Sequence, residues 1–423
     1  MLWLPPGSRR VSHRAERIRC RQEDATASGT SSLVAFRSPV KHPVIAIAHA
    51  FSRRNAGDGL LLDLTLERIR RAGISLARCR LIALDPESFQ EEAGRLESVR
   101  HSPGEPWGRL SRRLIPAGGN VLGAVASLPH PPRLAFSATP RALTDVGAIV
   151  GIGGGYLKAD RWRASMGLAL NHLPSLLLAA RLDVPSVYLP QTVGPLRGPV
   201  GNLTRRLVSR VDHVFVRDPE SATEVQTGHV SLAPDLAVLH LADSWPTPPP
   251  MLSRSRQARP VIAPRPLPRP APYEQRLHTL AQLLDDPLYA VQSRGLEGRS
   301  DEAFISRLDA RSSGALSTLL QHHTGGVVVS VRLHGALQAL LAGRPAIHLS
   351  YDRKGTAAFR ALGLDRFVHD AWTFAPGTVQ EQVRHLQAHP AEQHRTISQR
   401  IPDLQRLSRE VQRRIDEVLA PVL

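Results

Sequence analysis

Gly325 to Asp352, GGVVVSVRLHGALQALLAGRPAIHLSYD, carries the clearest local pattern of the chain. Val327 to Val331 is a short β-branched run of the kind that forms a buried parallel strand. Gly335 to Leu341 carries good helix formers, and Gly343 followed by Pro345 supplies a stop. Ala346 to Ser350 is a second apolar run, so the stretch predicts one β-α-β unit. Ligands of such units bind outside the carboxyl end of the first strand, where Arg332, Leu333 and His334 stand. A helix N-terminus has unpaired amides and about half a positive charge, which favours an anion. Arg332 adds a forked donor for phosphate or carboxylate, and His334 a group that exchanges protons near neutral pH. The plainer alternative is a salt-bridged arginine and a capping histidine.

The same alternation continues on both sides. Downstream, the pattern predicts a helix near Thr356 to Leu362, a strand at Phe367-Val368, and mostly helix from Gln380 to Leu419 with breaks near Pro390 and Pro402. Upstream lie a strand at Val261 to Ala263, a proline- and arginine-rich loop from Pro264 to Pro272, a helix from Glu274 to Leu284, a strand from Leu288 to Gln292 and a helix from Asp301 to Leu308. Asp243 to Pro260, DSWPTPPPMLSRSRQARP, reads as a linker.

Before the linker, Pro43 to Ala50 (PVIAIAHA) is a strand, followed by Asn55, Gly57, Asp58 and an amphipathic helix from Gly59 to Arg71. Asp58 suits a helix cap; its other role would be to orient a sugar hydroxyl or a catalytic group. Leu81 to Leu84 is a second strand, and Pro86 to about Pro140 suggests helices joined by irregular loops. Ala148 to Ile152 is a strand running into Gly153-Gly154-Gly155, read as a phosphate- or sugar-binding turn or a plain tight turn. It lacks dinucleotide-fingerprint spacing. Then come a helix from Met166 to Arg181, a strand at Ser186 to Leu189 ending in Gln191, Gly194 and Pro195, and a helix over Gly201 to Ser209. Val211 to Val216 is a strand presenting Arg217 and Asp218, and Val230 to Leu232 one leading to Asp235. The plain reading of Arg217 is a surface pair with Asp218. Altogether the expectation is an α/β chain of two doubly wound Rossmann-like domains, 42–242 and 261–376, joined by a linker at 243–260. Helices follow over 377–423, and the polar, aperiodic residues 1–41 read as a disordered tail.

The formal net charge of +17 raises nucleic acid and anionic membranes as partners. Only three of the basic residues are lysines (Lys41, Lys158, Lys354), the arginines are spread along the chain, and no zinc-finger or RNP motif is present. Specific nucleic-acid binding is therefore not expected, and membrane contact is expected to be peripheral at most. Cys20 and Cys79 are too few and too far apart for a metal site or a disulfide framework. A cytoplasmic setting fits, with no metal or other cofactor expected.

Several motifs recur in a telling order: Asn55-x-Gly57-Asp58, Gly153-Gly154-Gly155-x-Leu157, Gln191-x-x-Gly194-Pro195, Arg217-Asp218-x-x-Ser221, Pro234-Asp235, Val331-Arg332-Leu333-His334 and Ser350-Tyr351-Asp352-x-Lys354. Over roughly Val44 to Asp370 this set resembles the polysaccharide pyruvyl transferase family. The resemblance implies a GT-B-like fold, with phosphoenolpyruvate as donor substrate and a glycan or lipid-linked sugar as acceptor. Pyruvate would pass to two hydroxyls as a cyclic ketal, with release of phosphate, in cell-surface or exopolysaccharide biosynthesis. It implies that Arg217, Arg332 and His334 bind the donor and carry the catalysis. Asn55, Asp58, Gly153, Gly154, Gly155, Gln191, Asp235, Leu333 and Lys354 line the expected substrate site, with Asp58 or Asp235 as base. Val331 stands where the family often has methionine, Gly335 where alanine is usual, and Gln191-Thr192-Val193 varies a glutamine–serine–isoleucine pattern. The loop after Val261 departs further. Two rivals remain: a GT-B glycosyltransferase using a nucleotide sugar, and a binding protein with a degenerate site.

Overall fold

The computed structural model describes residues 43–101, 145–225, 227–246, 259–267, 270–284, 286–294, 300–308, 310, 313–321 and 325–423. The expected tail at 1–41, the inner part of the linker and most of the proline-rich 86–140 stretch lie outside the described residues.

Two parallel sheets organise the chain. The first contains β1 (Val44–Ala50), β2 (Cys79–Ala83), β3 (Ser98–His101), β4 (Val146–Gly151), β5 (Gly154–Ala159), β6 (Ser186–Leu196), β7 (His213–Val216) and β8 (Val230–Leu232). Its order is β3-β2-β1-β4-β6-β7-β8, with β5 pairing on β6. The second runs β11-β10-β9-β12-β13-β14, from β9 (Arg259–Ala263), β10 (Leu288–Val291), β11 (Gly314–Ala315), β12 (Gly325–Ser330), β13 (Ala346–Ser350) and β14 (Val368–Asp370). In each sheet the order reverses at a central pair, β1/β4 and β9/β12, and the crevice at such a reversal is where doubly wound folds take ligands. The fold is thus the expected pair of Rossmann-like lobes in a GT-B-like arrangement. Every residue of β1 and of β13 is buried, as strands covered by helices on both faces must be.

The opening β-α-β unit is realised as β12, the Leu333–Leu341 helix and β13. Elsewhere the outcome differs in instructive ways. The three glycines do not make a turn: Gly154 and Gly155 enter β5, in register with β6 from Gly154 opposite Gln191. The helix expected over Met166 to Arg181 is two, Trp162–Asn171 and Leu173–Leu182, with Pro174 in the first turn of the second, where its missing N–H costs nothing. β6 runs on through Gln191, Gly194 and Pro195 rather than stopping at Leu189. Part of the proline-rich loop after β9 is helix, since Pro270–Leu283 is one element.

The carboxyl edges of the two sheets face each other. The loop after β1 and the loop after β10 form an antiparallel bridge between Asn55 and Ser293. In it Ala56 N donates to Gln292 O at 3.1 Å and Arg294 N to Arg54 O at 3.2 Å. Arg353, after β13, reaches Val193 O of β6 at 2.7 Å. One hydrophobic cluster runs through both lobes, from Ile45 and Leu61 to Val328 and Leu337. At its centre the Leu236–Asp243 helix, which buries Leu236 through Leu239, packs against the Ala56–Arg71 and Leu333–Leu341 helices. Finally, Ile401–Leu419 buries Leu404, Ser408, Val411, Ile415 and Leu419 along one stripe and lies back on the first lobe's helices.

Candidate active site

Asp235 is where the lobes meet chemically. It caps the Leu236–Asp243 helix, its Oδ1 accepting from Ala237 N at 2.9 Å. Its Oδ2 lies 3.0 Å from Arg217 Nη2 of the same lobe and 3.6 Å from His334 Nε2 of the other. The second separation suits an ion pair and is too long for a hydrogen bond. Burial by itself would push the Asp235 carboxyl up; the Arg217 guanidinium, with His334 beside it, outweighs that and holds it well below the usual carboxylate range. The plain reading of Arg217 as a surface partner of Asp218 is therefore wrong. Arg217 is 8% exposed and pairs with Asp235, whereas Asp218 holds Ser221 and lies 3.5 Å from Arg353.

His334 occupies the first turn of its helix rather than a cap position, and Arg332 is the N-cap without a side-chain cap bond. The imidazole presses against the other lobe: a methyl on Gly57 would come within 2.4 Å of His334 Nδ1. Leu333, between them, turns into the core and is 3% exposed, so only its backbone remains near the site.

Arg332 is salt-bridged, as the plainer alternative had it. Its Nη2 and Nε donate to Asp301 Oδ1 and Oδ2 at 2.6 and 3.1 Å. Asp301, fully buried, also accepts from Gln292 N at 3.0 Å and Ser293 N at 2.8 Å. Neither arginine is thus an uncompensated charge: each stands against a carboxylate. Arg332 orders the loop after β10, and Arg217 charges the Asp235 junction.

The helix after β1 is capped by Asn55, which accepts from Gly57 N at 3.2 Å, and not by Asp58. Asp58 instead accepts from Asn55 Nδ2 at 2.8 Å. Burial raises its carboxyl above the usual range, against the opposing pull of His334, Asn55, Lys354 and Arg332. A partly buried carboxyl held up in this way, among cations, suits proton exchange.

On the first lobe's side, Gly153 permits close packing: a methyl there would sit 2.7 Å from Pro190 O and 3.4 Å from Arg217 Nη2. Gly155 lies opposite Lys354, whose Nζ would be 3.9 Å from a methyl on it. Lys354 also lies 3.4 Å from Asp352 Oδ2. Gln191, fully buried, donates from Nε2 to Tyr156 Oη at 2.7 Å, and Tyr156 donates in turn to Ile152 O at 2.8 Å. Behind them, the Tyr156 ring stacks between His49 and His172, 4.6 Å from each. His49 is held at a φ of 73° at the end of β1, a strained conformation of the kind that gathers at functional sites.

Several buried polar atoms at this junction have no hydrogen-bond partner: Gln191 Oε1, Arg217 Nε, Gln292 Oε1 and His334 Nε2. Buried polar groups are nearly always paired, so a cluster of exceptions marks a place for a polar ligand. Sequence reading missed Asp301, Gln292, Tyr156 and Arg265. A signal for Asp301 was present, an acidic residue after Ser300 in the first turn of a helix. Nothing local distinguishes Gln292 or Tyr156, because their roles come from the opposite strand or lobe.

The sequence model of one family, described as polysaccharide pyruvyl transferase, matches residues 55–353. Among solved structures, the chain is similar to UDP-GlcNAc 2-epimerase from Neisseria meningitidis bound to UDP-GlcNAc, at 9% identity over 88% of this chain and 99% of that one, with a TM-score of 0.47. It is also similar to a UDP-glucosyltransferase from Polygonum tinctorium, at 13% identity over 90% and 99%, with a TM-score of 0.45. Neither likeness says what this chain binds. No curated protein matches the sequence.

Proposed function

The chain belongs to the polysaccharide pyruvyl transferase family, and from that premise we propose that it moves the pyruvate unit of phosphoenolpyruvate onto two hydroxyls of one sugar. The observation that carries this reading is the junction of Arg217, Asp235 and His334, where both lobes contribute to one buried, incompletely bonded polar cluster.

The chemistry asks for a proton at the methylene carbon of the enol phosphate as the first sugar hydroxyl adds to C2. The C–O bond to phosphate then breaks, phosphate leaves with its electron pair, and the second hydroxyl closes the ketal. Of the two hydroxyl protons, one ends on the new methyl group and one on phosphate or a protein base. His334 is the proton donor to carbon, its Nε2 lying 3.6 Å from the Asp235 carboxylate that Arg217 holds ionised. Such a donor contributes about 10²–10⁴ in rate. Asp58, on the opposite lobe and with its carboxyl raised, is the group that takes up the hydroxyl proton. Gln191, its amide oriented by Tyr156, has Oε1 free to accept from a sugar hydroxyl. The acceptor is a glycan or lipid-linked sugar in the making of cell-surface polysaccharide. Among the described residues no helix is long and apolar enough to cross a membrane.

The test is incubation of the purified chain with phosphoenolpyruvate and a panel of sugars bearing free hydroxyl pairs. Acceptor mass should rise by one pyruvate ketal, with one phosphate released per ketal. Sugar transfer from a nucleotide donor, with phosphoenolpyruvate untouched, would replace this reading with that of a glycosyltransferase.

A further inference from the structure

With Arg217 and Arg332 both committed to carboxylates, the positive charge needed by a phosphate must come from elsewhere in the junction. Arg265 follows β9, one of the two strands at the reversal of the second sheet, in the proline- and arginine-rich stretch after it. Its Nη1 donates to Tyr351 Oη, and its guanidinium carbon lies over the Tyr351 ring, 4.4 Å from the centroid. Lys354 Nζ lies 5.7 Å from the centroid of the same ring.

Arg265 Nε is buried with no partner. Among the described residues no carboxylate pairs with this guanidinium, whereas Arg217, Arg332 and Arg353 each have one. Burial depresses the basicity of Arg265, and repulsion from Arg332 adds to that, with Tyr351 and Asp301 offsetting them only in part. It nonetheless stays a cation, as arginines in proteins do.

The backbone is equally specific. Tyr273, fully buried, donates from its hydroxyl to Arg265 O at 3.0 Å and accepts from Arg265 N at 3.4 Å. Pro264 and Pro266 fix φ on either side. A half-buried guanidinium that is preorganised, stacked and without a counter-ion is a receptor waiting for an anion.

We propose that Arg265, with Lys354 across the Tyr351 ring, receives the phosphate group of the donor, while Arg332 and Arg217 hold the carboxylates that shape the site. This rests on the donor reading above. The ligand class is a small phosphate monoester dianion, and inorganic phosphate, as the leaving product, occupies the same place.

The experiment measures binding of inorganic phosphate to the full chain by calorimetry, alongside kcat and KM for phosphoenolpyruvate, in wild type, Arg265→Ala and Arg265→Lys. Loss of hydrogen bonds to a charged group predicts phosphate binding weaker, and KM higher, by about 10- to 100-fold in Arg265→Ala. Arg265→Lys keeps the charge without the fork and should fall between. Any drop in melting temperature should be small in either variant, because only the Tyr351 contact is lost and no carboxylate loses a partner. A wild type active with phosphoenolpyruvate whose Arg265→Ala variant keeps its KM and its phosphate affinity overturns the inference and leaves the donor reading standing. A wild type inert towards phosphoenolpyruvate but binding phosphate through Arg265 overturns the donor reading and supports the anion site. Arg265-independent phosphate binding overturns the anion site in either case.

Discussion

At His334 the two lobes have no room between them. Gly57→Ala would place a methyl 2.4 Å from Nδ1, so the imidazole must move from its place beside Asp235. The expected outcome is a fall in kcat of about tenfold or more, since misplacement of roughly an ångström at a reacting group has effects of that order. Little change in melting temperature should accompany it; an unaltered kcat would show that the position of His334 does not matter. Removing the group itself, as His334→Gln, should cost about 10²–10⁴ in turnover with the fold retained, as circular dichroism would report. Arg332→Ala belongs to another class. It strips the buried Asp301 of its cation, which costs about 3–5 kcal/mol when a buried pair is broken one-sidedly. Its activity loss should therefore come with a clear drop in denaturation midpoint. Equal stability to wild type would mean that Asp301 is satisfied by its two backbone amides alone.

At the scale of elements, caps and neighbours decide what each loop presents. Asn55 both starts the Ala56–Arg71 helix and bonds Asp58. Asn55→Ala should cost about 1 kcal/mol of stability and raise the Asp58 carboxyl further. That would move any Asp58-dependent limb of the pH–rate profile upward, and an unmoved limb would take Asp58 out of the mechanism. At Gly335 a methyl would meet Gln292 Oε1 at 2.2 Å, so the Gln292 amide occupies the space a larger residue would need. The sequence made β12, the Leu333–Leu341 helix and β13 legible because each is buried on its own account and signals itself by local pattern. It misled where a partner strand overrides local chemistry. Gly154 and Gly155 are extended because β6 offers them a ladder, and three glycines in a row cannot announce that. The turn bearing Arg332 and His334 was likewise legible as a strand end, but its charge balance was not, since Asp301 and Asp235 arrive from the starts of distant helices.

For the whole molecule, the shared hydrophobic cluster and the returning Ile401–Leu419 helix join the lobes into one packed body. That body buries neutral histidines. Burial depresses His172 to about 3, and His213 and His348 to about 4; His49 is likewise held well below its ordinary value by burial and by His172. A folded-state value below the unfolded one means that these groups stabilise fully above about pH 6.5 and lose that stability as pH falls towards 4. Each contributes a slope of about 1.4 kcal/mol per pH unit in that window. Urea midpoints should therefore fall between pH 7 and 5, less steeply in His348→Gln; a flat profile would show that these rings take up protons without unfolding.

Proton delivery to an enol phosphate by the proposed Arg217–Asp235–His334 junction can be followed with ³¹P NMR of phosphoenolpyruvate, with and without a diol sugar, in wild type and His334→Gln. Wild type should convert it to inorganic phosphate only with the acceptor present, and the variant should do so about 10²–10⁴ more slowly. Equal conversion by both proteins would contradict proton delivery by His334.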